Sequence, residues 1–281
     1  MATLETQALV LRVVDFGESD RIAHLLTPAT SRLTVIAKGA RRSRRRFPGT
    51  LDLFNHLAVR VERRRASSLA RLEQGRLLDS FPALRVRPAR FALACYLVEL
   101  VDRLAPEGAG GREARQLFEV VFGALRAIGG RAPDARLRVL LELRVLAALG
   151  LRPELGRCVR CARDVAAHAR TAGEAAGAVS FHVGEGGPLC ERCASPGDAA
   201  LPVHRGTLRA LDQGLRLPFD RLERLALPAQ AQREAEALLG RFLRFHAGVE
   251  LRSERFLAVA LGDAATAVAV RPATPSASRP P

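Results

Sequence analysis

Four of the five cysteines form two Cys-x-x-Cys pairs in the second half of the chain: Cys158, Cys161, Cys190 and Cys193. Each pair is typical of a zinc knuckle, and two knuckles can place four thiolates tetrahedrally around one zinc ion. The 28 residues between the pairs exceed the commonest zinc-ribbon spacing but can form a loop. Two redox dithiols are the alternative, yet no βαβ pattern of a thioredoxin fold surrounds them. We therefore predict one structural Zn²⁺ per chain, with no open position for catalysis.

Other side chains near these pairs have different expected roles. Arg160 and Arg192 lie inside the knuckles, where a cation is expected to help keep the thiols deprotonated. His168 and His182 are close in sequence, but an all-cysteine site needs neither of them. Cys95 falls on the apolar face of a predicted helix and is expected to be a plain core residue.

A second group of residues suited to chemistry is the basic loop, residues 38–46, in which six of nine residues are cationic and none is acidic. Residues 32–65 as a whole carry a net charge of +9. A solvated loop is the alternative interpretation, but the charge density and the position between two predicted strands favour phosphate binding. The predicted DNA-binding residues are Lys38, Arg41, Arg42, Arg44, Arg45, Arg46, Phe47, Arg63, Arg64 and Arg65.

Aromatic side chains that could stack on bases are few. The chain has no tryptophan, and its single tyrosine, Tyr96, falls in a predicted helix. Phe47 directly follows the arginine run and is the best stacking candidate, whereas Phe16 and Phe54 are expected to lie in the core.

Catalytic motifs are missing from the sequence. The segment Gly184–Gly187 lacks the Lys-Ser/Thr of a phosphate loop, and neither a zinc-protease nor a serine-hydrolase motif occurs. Asp15, Glu18 and Asp20 could in principle hold the metals of a nuclease, but their position beside Arg21 favours ion pairing. We predict that the protein is not an enzyme.

Composition limits the class of protein. The chain has 281 residues, of which 48% are apolar, and this length suits two modest domains. Its net charge of +15 indicates an anionic partner: nucleic acid, a membrane surface or an acidic protein. No apolar stretch is long enough for a membrane span, and the N-terminus lacks the pattern of a signal peptide. A cytoplasmic location is predicted, in which disulfides are rare.

Hydrophobic alternation predicts strands in the first part of the chain. Between residues 32 and 37, for example, Leu33, Val35 and Ala37 share one face. Five short strands in about 75 residues are typical of a small barrel, and the OB-fold is the obvious five-stranded candidate. The predicted strands are Thr6–Phe16, Arg21–Thr27, Arg32–Ala37, Leu51–Arg63 and Leu69–Leu78.

Helical periodicity replaces the alternation beyond residue 80, so the fold class is α+β. Pro88 is suited to a first helical turn, and Gly150 to a C-terminal cap. Helices are predicted from Pro88 onward and over Arg112–Ile128, Asp134–Leu149, Thr207–Leu217 and Ala229–Val249. The predicted units are an OB-fold DNA-binding domain (1–80), an all-helical domain in two parts (81–150 and 201–258), a zinc module (151–200) and a disordered tail (259–281).

Several motifs together resemble the bacterial RecO family of DNA repair mediators. The most specific are Phe16-Gly-Glu-Ser-Asp-Arg-Ile22 and Ala37-Lys-Gly-Ala-Arg-Arg42, and the knuckle segment Phe181–Cys193 is similar to that of the family's zinc-bearing members. The C-terminal segment His246–Leu257 is also similar. The chain departs from the family's usual His-Gly turn before the third strand, where it has Ala29-Thr30-Ser31.

The resemblance implies an OB-fold followed by a helical domain with a zinc module, and no catalytic turnover. It also implies binding to single- and double-stranded DNA, annealing of complementary strands, and loading of recombinase onto gaps coated by single-strand binding protein. RecR, single-strand binding protein and possibly RecF are the implied partners, and the location is cytoplasmic at the nucleoid. The resemblance places contact with the acidic, apolar-ended tail of the coating protein on the helical domain. A zinc-ribbon RNA-binding or ribosome-associated factor remains the alternative.

Overall fold

The computed structural model describes residues 2–43, 45–63, 69–165 and 177–262. Five strands come first, and all of the longer helices follow them. The strands are β1 (Ala2–Phe16), β2 (Asp20–Thr27), β3 (Ser31–Ala37), β4 (His56–Arg63) and β5 (Ala70–Asp79).

The five strands close into a barrel in the order β1-β2-β3-β5-β4. A parallel pairing of β3 with β5, through Val35 opposite Ala70, closes it, while every other pairing is antiparallel. This topology is the predicted OB-fold. Its apolar interior follows from strand alternation, because every second side chain faces inward. The interior residues include Ala8, Val10, Leu25, Val35, Leu57 and Leu72.

Two turns of the barrel depend on left-handed backbone. Gly17 at the β1–β2 hairpin has a φ of +59°, which glycine adopts at little cost. The Ala29-Thr30-Ser31 turn leaves Ser31 at a φ of +51°, and Thr27 Oγ1 accepts a hydrogen bond from the Thr30 amide at 3.0 Å. This polar turn connects β2 to β3.

The predicted strand Leu51–Arg63 is wrong in its first five residues. Phe54 adopts a φ of +69°, which a strand does not allow, and its ring is buried against Phe91. Asn55 holds the turn by donating hydrogen bonds to the carbonyls of Gly49 and Thr50. Pairing with β5 along β4 therefore begins only at His56.

The chain beyond residue 80 is mainly helical, as predicted. Its elements are α1 (Pro82–Arg85), α2 (Pro88–Leu104), α3 (Arg112–Gly130), α4 (Ala135–Ala148), β6 (Ala178–His182), β7 (Gly187–Leu189), β8 (Ala200–His204), α5 (Arg205–Arg216), a 3-10 helix (Phe219–Arg224), α6 (Ala229–Ala247) and α7 (Ser253–Leu261).

Local signals explain where two of the helices begin and end. Asp134 caps α4, because its side chain accepts a hydrogen bond from the Leu137 amide at 2.7 Å. Gly150, just beyond that helix, and Gly248, just beyond α6, are both left-handed, as the last turn of a helix favours. The 3-10 helix and α7 were not predicted. Because α7 reaches Leu261, helix extends past the predicted domain end at 258, and the rest of the predicted tail, 263–281, lies outside the described residues.

The helical core also contains a buried polar group. Arg138 of α4 lies over the Tyr96 ring of α2, 5.3 Å from its centroid, and within 3.5 Å of Glu254 on α7. Burial raises the pKa of the neighbouring Glu142 to about 7. Cys95 packs against the same core, and burial raises the pKa of its thiol to about 11. This agrees with the expected core role of Cys95.

Ionic contacts join the barrel to the helices. His24 Nδ1 of β2 lies 2.5 Å from Asp102 Oδ1 of α2, and Arg32 donates a 2.6 Å hydrogen bond to the Asp102 carbonyl. Glu107 accepts hydrogen bonds from Arg32 Nε and the Thr34 amide. The sequence carries no local signal for this joint, because its partners lie more than 65 residues apart.

Candidate nucleic-acid interface and metal centre

The four predicted ligands meet at one point. The Sγ atoms of the four cysteines all lie within 4.8 Å of one another, and those of Cys161 and Cys190 are 3.6 Å apart. Four sulfurs at zinc–sulfur distances of about 2.3 Å need separations of this size. Among the described residues no other group of histidine, cysteine and acidic side chains is close enough to hold a metal ion.

Backbone hydrogen bonds build each knuckle. In the first knuckle, the Cys158 carbonyl accepts from the Ala162 amide at 2.8 Å. In the second, the Cys190 carbonyl accepts from the amides of Cys193 and Ala194, both at 2.9 Å. These turns place both thiols of a pair on one side, which is the arrangement that a tetrahedral ion requires.

The two knuckles are joined through β7. Val159 donates a 3.0 Å hydrogen bond to the Pro188 carbonyl. Gly187 is needed at this close approach, because a Cβ there would lie 2.4 Å from Val159 Cγ1. The sheet β7-β6-β8 supports this region, and its third strand, β8, begins at residue 200, the predicted end of the module, and continues to His204.

Arg160 does not contact the thiols, contrary to the sequence-based expectation. Its guanidinium lies 2.6 Å from Glu185 and 2.8 Å from Asp198, and it also donates a 2.7 Å hydrogen bond to the Cys193 carbonyl. Hydrogen bonds to Arg160 lower the pKa of both carboxyl groups. Arg160 therefore links the first knuckle to the backbone of the second.

The backbone, and not an arginine side chain, favours ionisation of a ligand thiol. Burial opposes ionisation of Cys158, but hydrogen bonds from the backbone of Cys190, Arg160 and Cys161 outweigh it and lower its pKa to about 6. His182 Nδ1 accepts a hydrogen bond from the Glu185 amide and stays outside the cluster, as expected. His168 lies outside the described residues.

The basic loop is held against the β1–β2 hairpin by some of its own cations. Lys38 Nζ lies 2.7 Å from Asp20 Oδ2, and the Gly39 amide donates to the other oxygen of Asp20. Arg41 donates from its amide and its guanidinium to the carbonyls of Ser19 and Glu18. The Arg46 guanidinium binds the Lys38 carbonyl at 2.7 Å. The loop is thus fixed to the barrel at several points.

Other cations of the loop face solvent. Arg42 and Arg45 are exposed and have no side-chain partner within the described part of the chain. Arg44, Arg64 and Arg65 lie outside the described residues, and Arg63 is the last residue of β4. The loop therefore presents positive charge that no carboxylate of the described barrel neutralises.

The stacking role predicted for Phe47 does not fit its position. Its side chain is only 4% exposed and packs inside the barrel. The Gly75 amide of β5 donates to the neighbouring Arg46 carbonyl and so draws this residue inward. Phe16, which was expected to be core, is instead 50% exposed, whereas Phe54 is buried as predicted.

Two members of the acidic cluster, Asp15 and Asp20, are paired with cations. Asp15 binds Arg21 at 3.0 Å and lies 3.6 Å from Arg41. The hydrogen bond from Lys38, followed by that from the Gly39 amide, lowers the pKa of Asp20. These carboxylates hold the loop in place, which disfavours the nuclease interpretation.

Comparison with known proteins decides the family. The model described as "Recombination protein O N terminal" matches residues 1–81, and "Recombination protein O C terminal" matches residues 85–255. A curated protein of Anaeromyxobacter dehalogenans (strain 2CP-C) named DNA repair protein RecO is 40% identical over 260 residues, covering 92% of this chain and 96% of its own. The chain belongs to the RecO family.

Other RecO proteins cover the chain to a similar extent. Those of Syntrophus aciditrophicus (strain SB) and Myxococcus xanthus (strain DK1622) are 32% and 33% identical over 258 and 261 residues. Each match spans at least 91% of this chain and 95% of the relative. The basic loop lies within the N-terminal RecO match and the four cysteines within the C-terminal one.

These RecO matches confirm the predicted family and give no support to the alternative of an RNA-binding or ribosome-associated factor. Within the residues that the structure describes, no helix has the length and apolarity needed to cross a bilayer.

Proposed function

We propose that the protein is a recombination mediator in DNA repair. It binds single- and double-stranded DNA, anneals complementary strands, and helps load recombinase onto gaps coated by single-strand binding protein. RecR and single-strand binding protein are its partners, and RecF is a further partner. The protein performs no catalytic step in this role. Because it acts on chromosomal DNA, its location is the cytoplasm at the nucleoid.

The observation that supports this proposal is that Arg42 and Arg45 are exposed and have no side-chain partner among the residues that the structure describes. Annealing brings two polyanions together, and cations that screen both strands reduce the repulsion between them. A cation that is already paired with a carboxylate attracts a phosphate less strongly, because its charge is largely neutralised. Lys38 and Arg41 bind the hairpin and so hold the loop in shape, while Arg42 and Arg45 take no part in these contacts.

We further propose that the four-cysteine cluster holds Zn²⁺. The donor set fits this ion, since four thiolates complete its preferred tetrahedral sphere. Bound zinc would supply a cross-link between the knuckles and would leave no position for a substrate.

Action on coated strands requires contact with the coating protein as well as with DNA. A cavity of about 280 Å³ between β1, α2 and the start of α7 has an apolar floor that includes Leu11 and Val98. Arg12, Arg103 and Arg252 lie at the same cavity. Its two carboxylates are already engaged, Glu99 with the Ser253 backbone and hydroxyl and Asp102 with His24. This leaves positive charge beside an apolar floor, which suits an acidic peptide with an apolar end.

The test measures annealing of naked and of coated complementary strands. Arg42→Ala/Arg45→Ala should slow annealing of naked strands. A peptide with the acidic tail sequence should block annealing of coated strands only, and Arg103→Ala should reproduce that selective defect. Arg115→Ala on α3 is the matched control, because it removes an exposed arginine away from the cavity. If the peptide neither binds nor inhibits, the mediator proposal is wrong.

A further inference from the structure

Exposed aromatic rings are scarce on this molecule. Among the described residues, the phenylalanines with large exposed fractions are Phe16 at 50%, Phe245 at 65% and Phe256 at 44%. Phe245 lies on α6 against Gly184, and Phe256 lies on α7 in edge contact with Phe91. Only Phe16 belongs to the barrel that carries the basic loop.

Phe16 is the last residue of β1, directly before the tip of the β1–β2 hairpin. The basic loop binds this tip. The loop contacts this tip through Arg41, whose amide donates to the Ser19 carbonyl at 3.0 Å, and through Lys38, which binds Asp20. Asp20 is also the cross-strand partner of Phe16. The hairpin tip therefore connects the Phe16 ring to the loop that carries Arg42 and Arg45.

The exposed face of β1 extends this feature. Arg12, Val14 and Phe16 alternate along the strand and are all exposed, with Val14 at 42%. Alternate side chains of a strand share a face and lie about 6.7 Å apart. Asp15 projects from the other face, where Arg21 and Arg41 bind it. The face is thus an apolar strip that begins with a cation and ends with an aromatic ring.

Charge around the ring decides which part of a nucleotide it meets. Glu18 at the tip is exposed, and no partner for its carboxylate is found among the described residues, so it repels phosphates from the ring's immediate surroundings. Arg42 and Arg45 attract phosphates on the adjoining loop. A single strand whose phosphates contact the loop and avoid Glu18 would present its bases towards Phe16.

We propose that Phe16 is the base-stacking residue of the DNA interface, taking one unpaired base from a single strand whose phosphates contact Arg42 and Arg45. This inference rests on the proposed DNA-binding function. A ring stacks on any base, because every base has an aromatic face. In duplex DNA the bases are already stacked on each other, so Phe16 acts on single strands alone.

The test measures binding of a fluorescent oligothymidine and of a duplex of equal length to the full chain at several salt concentrations. Phe16→Ala should weaken single-strand binding about tenfold, while leaving duplex binding and the salt slope unchanged. Phe16→Tyr should restore the affinity, because it keeps the ring. Phe256→Ala is the matched control, since it removes another exposed ring, on α7 and outside the barrel, and should change neither affinity.

The outcomes separate the inference from the proposed function. Native protein that binds no DNA at all overturns both. A different result overturns only the stacking role. In it, the native protein binds single strands, Phe16→Ala changes this affinity by less than twofold, and Arg42→Ala/Arg45→Ala weakens it. Equal losses on single strands and duplex also overturn it, because they indicate damage to the hairpin and not a lost stacking contact.

Discussion

Arginines in the basic loop and in the first Cys-x-x-Cys knuckle have opposite surroundings. Arg42 and Arg45 are exposed and have no carboxylate partner among the described residues, whereas Arg160 binds two carboxylates and a backbone carbonyl. The difference is that the fold brings two carboxylates to Arg160 and none of the described ones to Arg42 or Arg45. An arginine indicates a ligand-binding surface only when no carboxylate of its own chain neutralises it. A count of charges along the sequence is therefore not sufficient to identify such a surface.

The largest expected effect is that of metal removal, which should unfold the cysteine-bearing region and leave the barrel folded. Cys158→Ser/Cys190→Ser, or treatment with a chelator, should unfold the segment around β6–β8, because zinc binding contributes about 10 kcal/mol to folding in small zinc modules. The barrel should stay folded, since its core contains none of these residues. Hydrogen exchange by mass spectrometry measures both regions in one experiment.

Cys95→Ala is the control for this experiment, because Cys95 lies outside the cluster. It should leave the zinc content at one equivalent. Freshly purified protein that contains no zinc and has all thiols free would contradict the assignment of the metal.

The second expected effect tests whether Arg160 is a structural link. Arg160→Ala leaves Glu185 and Asp198 without their shared partner and frees the Cys193 carbonyl. Loss of such supporting contacts typically weakens metal binding about tenfold. Release of zinc to a coloured chelator should therefore be faster by about that factor, with no change in DNA binding.

Arg192→Ala is the matched control, since Arg192 occupies the same position in the second knuckle, is exposed and has no described side-chain partner. It should release zinc at the native rate. Equal release rates for the two variants would mean that the pairing of Arg160 with its carboxylates does not support the site.

Local patterns in the sequence were sufficient to predict the four-cysteine cluster and most of the barrel. The Cys-x-x-Cys spacing is a property of four consecutive residues, and strand alternation shows directly which side chains are inward. Both patterns can be recognised in the sequence without knowing which distant residues come into contact. Each pair supplies half of a tetrahedral sphere, which is why Cys158 and Cys190, 32 residues apart, could be assigned to one site.

The exchange of roles between Phe47 and Phe16 could not be predicted in the same way. Phe47 is buried because the loop folds back onto β5, through a hydrogen bond between residues 46 and 75. Phe16 is exposed because β1 continues outward to its hairpin, beyond the part of the strand that lines the core. Both outcomes depend on contacts between distant residues. Helix α7 was missed because its short periodic pattern merges with an Ala-rich C-terminal segment.

The smallest expected effect concerns Arg42 and Arg45, the arginines that have no carboxylate partner among the described residues. Arg42→Ala/Arg45→Ala should reduce the log–log salt slope of single-strand binding by about 1.4, since each phosphate contact contributes about 0.7. Between 50 and 200 mM salt this changes the loss of affinity by about sevenfold. Arg60→Ala/Arg71→Ala removes the same charge from barrel arginines that already bind Glu5, Glu62 and Glu73, and should leave the slope unchanged. Equal changes in both variants would show that DNA responds to the overall field of the barrel and not to two particular contacts. The distinction between paired and free arginines would then fail as a guide to the interface.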